Sequence, residues 1–377
     1  MNIGVFMTGA ALMLLLGCSG GGNDGARPAV NSPQPPALQP TAVTAIEPTA
    51  QPQKLQITPT HSLSLRIPDA IGINIHRDKG PESDPVIFDL LEQMGVGVIR
   101  DDMRWELVEQ TKGIYDFSAY DEFVARIEQA GLRVLWIVDR GNLLYEETTR
   151  AVVTPEGREA YAAFARAAAE RYKGKNIIWE VWNEPNSANF WRPEPSVQDY
   201  YELVELTAQA IHEADPTAMV VAASSSLRPL DEYPKDLQWH RELFELGMLD
   251  HIDAVSIHPY RFLNSPETVI DAYESLNELM SEFLSASADS LPIISSEWGY
   301  TSEDSNGNSV IDKQARFAVR SMLMDIALGL PVSVWFNLLD KPDAKNRYGM
   351  FNADATPKPV ANALQTLTST LNGYTYV

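Results

Sequence analysis

The chain has a single cysteine, Cys18, among 377 residues. No intramolecular disulfide can form, and a thiolate metal cage or a redox cysteine pair is excluded. Histidine is scarce as well. The six are scattered, with no H-x-H or H-E-x-x-H pattern, and HEAD at 212–215 fails the zinc motif. The phosphate-cradling pattern G-x-x-x-x-G-K-[ST] is missing too. Metals and cofactors are therefore not expected. Basic residues are outnumbered, 29 Lys and Arg against 51 Asp and Glu, for a net charge of −22. A surface of that sign argues against nucleic acid as a partner and disfavours a densely anionic polymer.

The acidity is unevenly spread. In residues 1–55, Asp24 and Glu47 are balanced by Arg27 and Lys54. Residues 3–17 form an apolar run too short to span a bilayer, ending in LLLGC at 14–18. This looks like a bacterial lipoprotein signal cleaved before Cys18, although no Lys or Arg precedes the run. The reading expects a signal segment 1–18, a lipidated Cys18 and an anchored rather than spanning protein in the cell envelope, the alternatives being an ordinary signal peptide on a secreted protein or an uncleaved anchor. Residues 19–58, rich in Gly, Pro, Ala, Thr and Gln, read as a flexible tether. One catalytic domain is expected over 59–377.

From there, eight nearly continuous apolar runs alternate with helical patterns. The runs are 69–75, 96–100, 132–138, 176–183, 218–223, 252–258, 291–297 and 331–336. Such runs suit strands buried on both faces. The clearest helical segments are 157–172, 196–213, 267–285 and 311–328, each with apolar residues at three- and four-residue spacing. The fold class expected is α/β, a (β/α)₈ barrel. A doubly wound sheet would need a Gly-rich first turn, and GVGVIR at 95–100 lacks its third glycine.

Two of the runs end in glutamate. Glu184 stands in WEVWNEPN at the end of the fourth, and Glu297 in PIISSEWGY at the end of the seventh, about 110 residues later. Barrel enzymes carry their chemistry at the carboxyl ends of strands. Strands four and seven lie across the mouth from each other. Two carboxyl groups about 5 Å apart there are the minimal equipment for cleaving a glycosidic bond with retention, whereas inversion needs a wider gap to hold a water.

WEVWNEPN, HPY at 258–260 and SEWGY at 296–300 resemble the clan of retaining (β/α)₈ glycoside hydrolases. Within it they look most like family 39 and its bacterial exopolysaccharide-hydrolase relatives. The resemblance covers residues 70–360. It implies Glu184 as general acid/base, with a pKa raised by its surroundings, and Glu297 as nucleophile. It implies Asn183 on the sugar 2-hydroxyl, Arg100 holding the nucleophile ionised, Tyr260 steadying Glu297 and His258 shaping the same wall. Trp335 would be the aromatic floor beneath the sugar.

Asn74 and His76 end the first run and would line the site. Trp191 and Trp298 are the preferred aromatic platforms among the loop residues, ahead of Trp105, Tyr145, Phe190 and Tyr348. Glu180 is expected to point into the barrel as a buried structural carboxylate. Asp101, Asp102, Asp139 and Asp340 either touch sugar hydroxyls or cap helices. The expected activity is retaining hydrolysis of a β-linked glycan, an extracellular or cell-surface polysaccharide being the substrate class. The alternative is an inactive glycan-binding lipoprotein on the same barrel. A metal-assisted hydrolase is disfavoured by the scattered histidines.

Overall fold

The computed structural model describes residues 66–75, 85–284, 291–342 and 347–375. The expected signal segment, Cys18, the whole tether and His76 lie outside them. Eight parallel strands close into a barrel in chain order. They are β1 (Ile71–Asn74), β2 (Val98–Arg104), β3 (Arg133–Asp139), β4 (Ile178–Val181), β5 (Met219–Ser226), β6 (Ala254–His258), β7 (Ile293–Trp298) and β8 (Ser333–Phe336). All eight apolar runs are strands. Helices lie between them: α1 (Pro85–Met94), the short α2 (Trp105–Val108), α3 (Ser118–Gln129), α4 (Pro155–Arg171) and α5 (Val197–Ala214). The series continues with α6 (Pro234–Glu245), α7 (Ile270–Phe283), α8 (Ile311–Ala327) and α9 (Pro359–Thr370).

The helices begin where local chemistry directs them. Thr154 caps α4, its hydroxyl accepting the Gly157 amide at 2.9 Å with Pro155 in the first turn. Ser196 caps α5 in the same way through the Asp199 amide. The residues that lead into β1 and those that follow α9 are stitched together. The Ile67 amide donates to Tyr374 at 2.9 Å and the Gly373 amide to Ile67 at 2.8 Å. Among the described residues no helix is long and apolar enough to cross a membrane.

Strand alternation divides the core in two. One layer fills the barrel: Val98, Leu135, Ile137, Ile178, Met219, Val221, Ala254, Ile294, Val332 and Val334. The larger layer lies between strands and helices. Moving towards the carboxyl ends, the inward positions turn from apolar to polar. Val98 is followed inward by Arg100, Ile178 by Glu180, Ala254 by Ser256 and Ile294 by Ser296, and all four polar residues are buried. A dry hydrophobic plug thus supports a polar layer, and the mouth opens above it.

Candidate active site

Arg100 is the centre of the polar layer. Its Nε donates to Glu180 Oε2 at 2.6 Å, Nη1 to Glu297 Oε2 at 2.6 Å and Nη2 to Asn183 Oδ1 at 2.8 Å. Glu180 also accepts from Ser256, whose hydroxyl lies 2.6 Å from that of Ser296. Burying a guanidinium costs several kcal/mol, about the amount that well-placed carboxylates recover. Burial alone would lower the Arg100 pKa, but the charges of Glu180 and Glu297 prevail and raise it. Burial likewise works to raise Glu180, yet the Arg100 charge and the serine hydroxyls hold it below the ordinary carboxylate range. Glu180 is therefore an ionised anchor, with no exposed surface.

Glu184 is delivered by an unusual turn. Trp182 and Glu184 have left-handed φ values of 66° and 44°, with Asn183 between them. Across the sheet, Ala223 and Ser224 are left-handed as well, at 78° and 40°, where the β5–β6 register shifts. Each such residue costs about 1–3 kcal/mol. The Glu184 amide donates to the Ser224 carbonyl at 2.8 Å, so the two strained segments support one another. Trp182 packs edge-on to Trp191 at 5.1 Å, which anchors the turn from outside the barrel.

The Glu184 carboxyl is asymmetric. Oε1 accepts from Ser226 Oγ at 3.0 Å and faces His258 Nδ1 at 3.1 Å. His258 Nε2 lies 3.3 Å from Arg100 Nη2, which can only donate. Nε2 therefore accepts, the proton resides on Nδ1, and His258 donates to Glu184. Oε2 has no hydrogen bond to a described residue and opens to the mouth. The raised pKa expected for Glu184 is not what this geometry gives. Burial pushes it up, but the bonds from His258 and Ser226 and the Arg100 charge outweigh burial and bring it below the ordinary range.

Glu297 is held at both oxygens, by Arg100 at Oε2 and by the Tyr260 hydroxyl at Oε1, 2.7 Å away. Burial and then the Glu297 charge keep Tyr260 protonated, its pKa far above the phenol value. Glu184, His258 and Glu297 each place a polar atom within 4.8 Å of the others. The two carboxylates are 14% and 12% exposed, so both are accessible from solvent. This trio has the donor types of a cation site, but Arg100 donates to two of its members and its charge opposes a cation there.

The structure thus brings together Glu184, Glu297, Asn183, Arg100, His258 and Tyr260. Asn74 is buried at the end of β1. The tryptophans are the correction. Trp335, Trp298 and Trp191 are 0%, 3% and 1% exposed. Trp335 packs edge-on to Trp298 at 5.1 Å, and both belong to the layer outside the barrel. The reason is strand parity: Val332 and Val334 point inward, so Trp335 points out. The half-buried aromatic wall is instead Phe336, Tyr348 and Tyr260, with Tyr348 5.9 Å from each of the other two ring centroids. Gly299 is required beside it, because a Cβ there would lie 2.5 Å from the Phe336 carbonyl oxygen. The aspartates Asp101, Asp102, Asp139 and Asp340 are all buried, Asp101 and Asp102 within β2 and Asp139 at the end of β3. Burial, then the Asp102 charge, pushes Asp139 up to about 6. Ser226 and Phe336 escaped the sequence reading.

The model of the cellulase family (glycosyl hydrolase family 5) matches residues 61–337. A β-xylosidase of Geobacillus stearothermophilus is 38% identical over 66 residues, 17% of this chain and 13% of the relative's length. A family 39 glycoside hydrolase from Bacteroides cellulosilyticus WH2 superposes with a TM-score of 0.69 at 24% identity, over 83% of this chain and 65% of that one. A monomeric β-xylosidase from Caulobacter crescentus CB15 gives 0.63 at 18% identity, over 80% of this chain and 68% of that one. Xylanase 10B from Thermotoga maritima gives 0.56 at 17% identity, over 80% and 94%. The likeness to these solved structures is one of fold.

Proposed function

The chain belongs to the cellulase family (glycosyl hydrolase family 5), and from that premise we propose that it hydrolyses a β-linked glycan with net retention, using Glu297 as nucleophile and Glu184 as acid/base. The observation that carries this reading is the approach of the Glu184 and Glu297 oxygens to within 4.8 Å, each carboxylate reachable from the mouth. That spacing suits direct attack by Glu297 on the anomeric carbon and leaves no room for an intervening water. In the first step Glu297 forms the C–O bond to the sugar while the glycosidic C–O bond breaks. The departing oxygen takes the proton from Glu184. In the second, Glu184 removes a proton from water, which displaces Glu297.

The hydrogen bonds assign the atoms. Glu184 Oε1 is occupied by two donors, so the transferable proton belongs on Oε2. Arg100 and Tyr260 keep Glu297 ionised and aimed. Asn183 Oδ1 is committed to Arg100, which leaves its amide NH₂ to meet a sugar hydroxyl. Substrate filling the mouth would exclude water from Glu184 and raise its pKa towards the value an acid needs. Since Ser226 favours the charged form of Glu184, Ser226→Ala should raise that pKa. The protonated acid then persists further into base, so the alkaline limb of the kcat/KM pH profile moves to higher pH. An alkaline limb that stays put or moves to lower pH would count against Glu184 as the acid.

The similar fold of a β-xylosidase and a xylanase supports aryl β-xylosides as the first substrates to try, with glucosides and mannosides beside them. Hydrolysis followed by NMR should release the β-anomer first. First release of the α-anomer, or no turnover across the panel, would refute the reading. The finer substrate proposed is an extracellular or cell-surface polysaccharide, met by a lipid-anchored enzyme. The LLLGC segment supports that placement.

A further inference from the structure

The geometry points to Phe262 and Tyr233 as the platform on which the leaving-group side of the glycan stacks, a site for a neutral pyranose presenting a flat C–H face. The inference rests on the reading of Glu184 as proton donor. The acid must face the departing oxygen, so the released part of the glycan lies on the Glu184 side of the mouth. Two strands supply the donors to Glu184: β5 through Ser226 and β6 through His258. The loops that follow these strands meet at the rim there.

Their junction is built rather than loose. The Leu227 amide donates to the His258 carbonyl at 3.0 Å. Arg261, 3% exposed, spends its guanidinium on backbone carbonyls: Leu227 across the junction, Pro259 at 3.1 Å and Thr268 at 3.3 Å. This fixes the neighbouring Phe262, which has a left-handed φ of 53° and remains 41% exposed. A bulky side chain rarely takes that conformation. Its ring centroid lies 6.1 Å from that of Tyr233, on the loop after β5. Tyr233 is backed by the Arg228 guanidinium, 3.9 Å from the ring centroid. Arg228 is in turn held by Asp236, which is 2% exposed, through contacts of 2.8 and 2.7 Å. The arginine charge is thus met within the protein, and the platform offers aromatic faces to a sugar. Aromatic faces of that kind suit the C–H face of an uncharged sugar.

The test uses the full chain. Xylohexaose, cellohexaose and mannohexaose are titrated calorimetrically into the Glu184→Gln protein, with and without Phe262→Ala. Loss of the platform should weaken the hexaose that binds by about tenfold, and Phe262→Trp should restore it. In the active enzyme, kcat/KM is compared between that hexaose and the matching β-glycosyl fluoride, whose leaving group is a single atom. The loss caused by Phe262→Ala or Tyr233→Ala should be at least about tenfold greater on the hexaose. Equal losses on both substrates, no loss on either, or failure of every hexaose to bind would overturn the platform. Weakened hexaose binding in a protein that turns over no glycoside would keep the platform and instead sink the hydrolase reading.

Discussion

Replacing Glu297 by alanine is expected to lower kcat/KM on an aryl β-glycoside by on the order of 10⁴-fold or more, because no glycosyl–enzyme bond can then form. The fold should survive. The side chain lies at the mouth, and Arg100 keeps Glu180 and Asn183 as partners, so no buried charge is stranded. The variant also has a chemical signature. Azide entering the vacated space would attack the anomeric carbon once, from the side Glu297 occupied, while Glu184 still protonates the leaving oxygen. The product is a glycosyl azide of inverted configuration. Wild-type-like turnover, or no rescue by azide with the circular dichroism spectrum intact, would remove Glu297 from its role.

Glu184→Ala should show the complementary pattern. An acid contributes about 10²- to 10⁴-fold where the leaving group is poor and little where it departs unaided. The loss should therefore be large on an oligosaccharide and small for formation of the intermediate from a dinitrophenyl glycoside. The intermediate on Glu297 still forms but lacks a base for water. Azide needs no base and would attack from the Glu184 side, giving a glycosyl azide of retained configuration. The two variants must produce opposite azide anomers. The same anomer from both, or equal losses across leaving groups, would break the assignment.

Much of this was legible in the sequence, for physical reasons that can be named. Strands buried on both faces advertise themselves as unbroken apolar runs, so all eight were found. Glu184 follows from placement just past a strand end, whereas Arg100, expected to end its run, lies inside β2, which continues to Arg104. Simple alternation failed elsewhere. Counted by twos from Ile294 and Ser296, Glu297 would face outward. The irregular register between Ser295 and Trp298 lets it reach the mouth, and the motif rather than the period revealed it. Ser226 was missed for the same reason, since the shift after Ala222 reverses parity in β5. The tryptophans show the opposite error. A strict count turns Trp335 outward and points to Phe336, whereas the family resemblance implies Trp335 as the sugar floor.

Arg100 ties its own strand to β4, β6 and β7 through Glu180, Asn183, His258 and Glu297. Half the ring cannot assemble that knot, since Tyr260 and Glu297 arrive only with the last strands to be synthesised. A nascent or truncated chain would own the acid and lack its counterpart, and so be harmless to any glycan it met. Competence and completion of the sheet coincide, which makes turnover itself the reporter of ring closure during refolding.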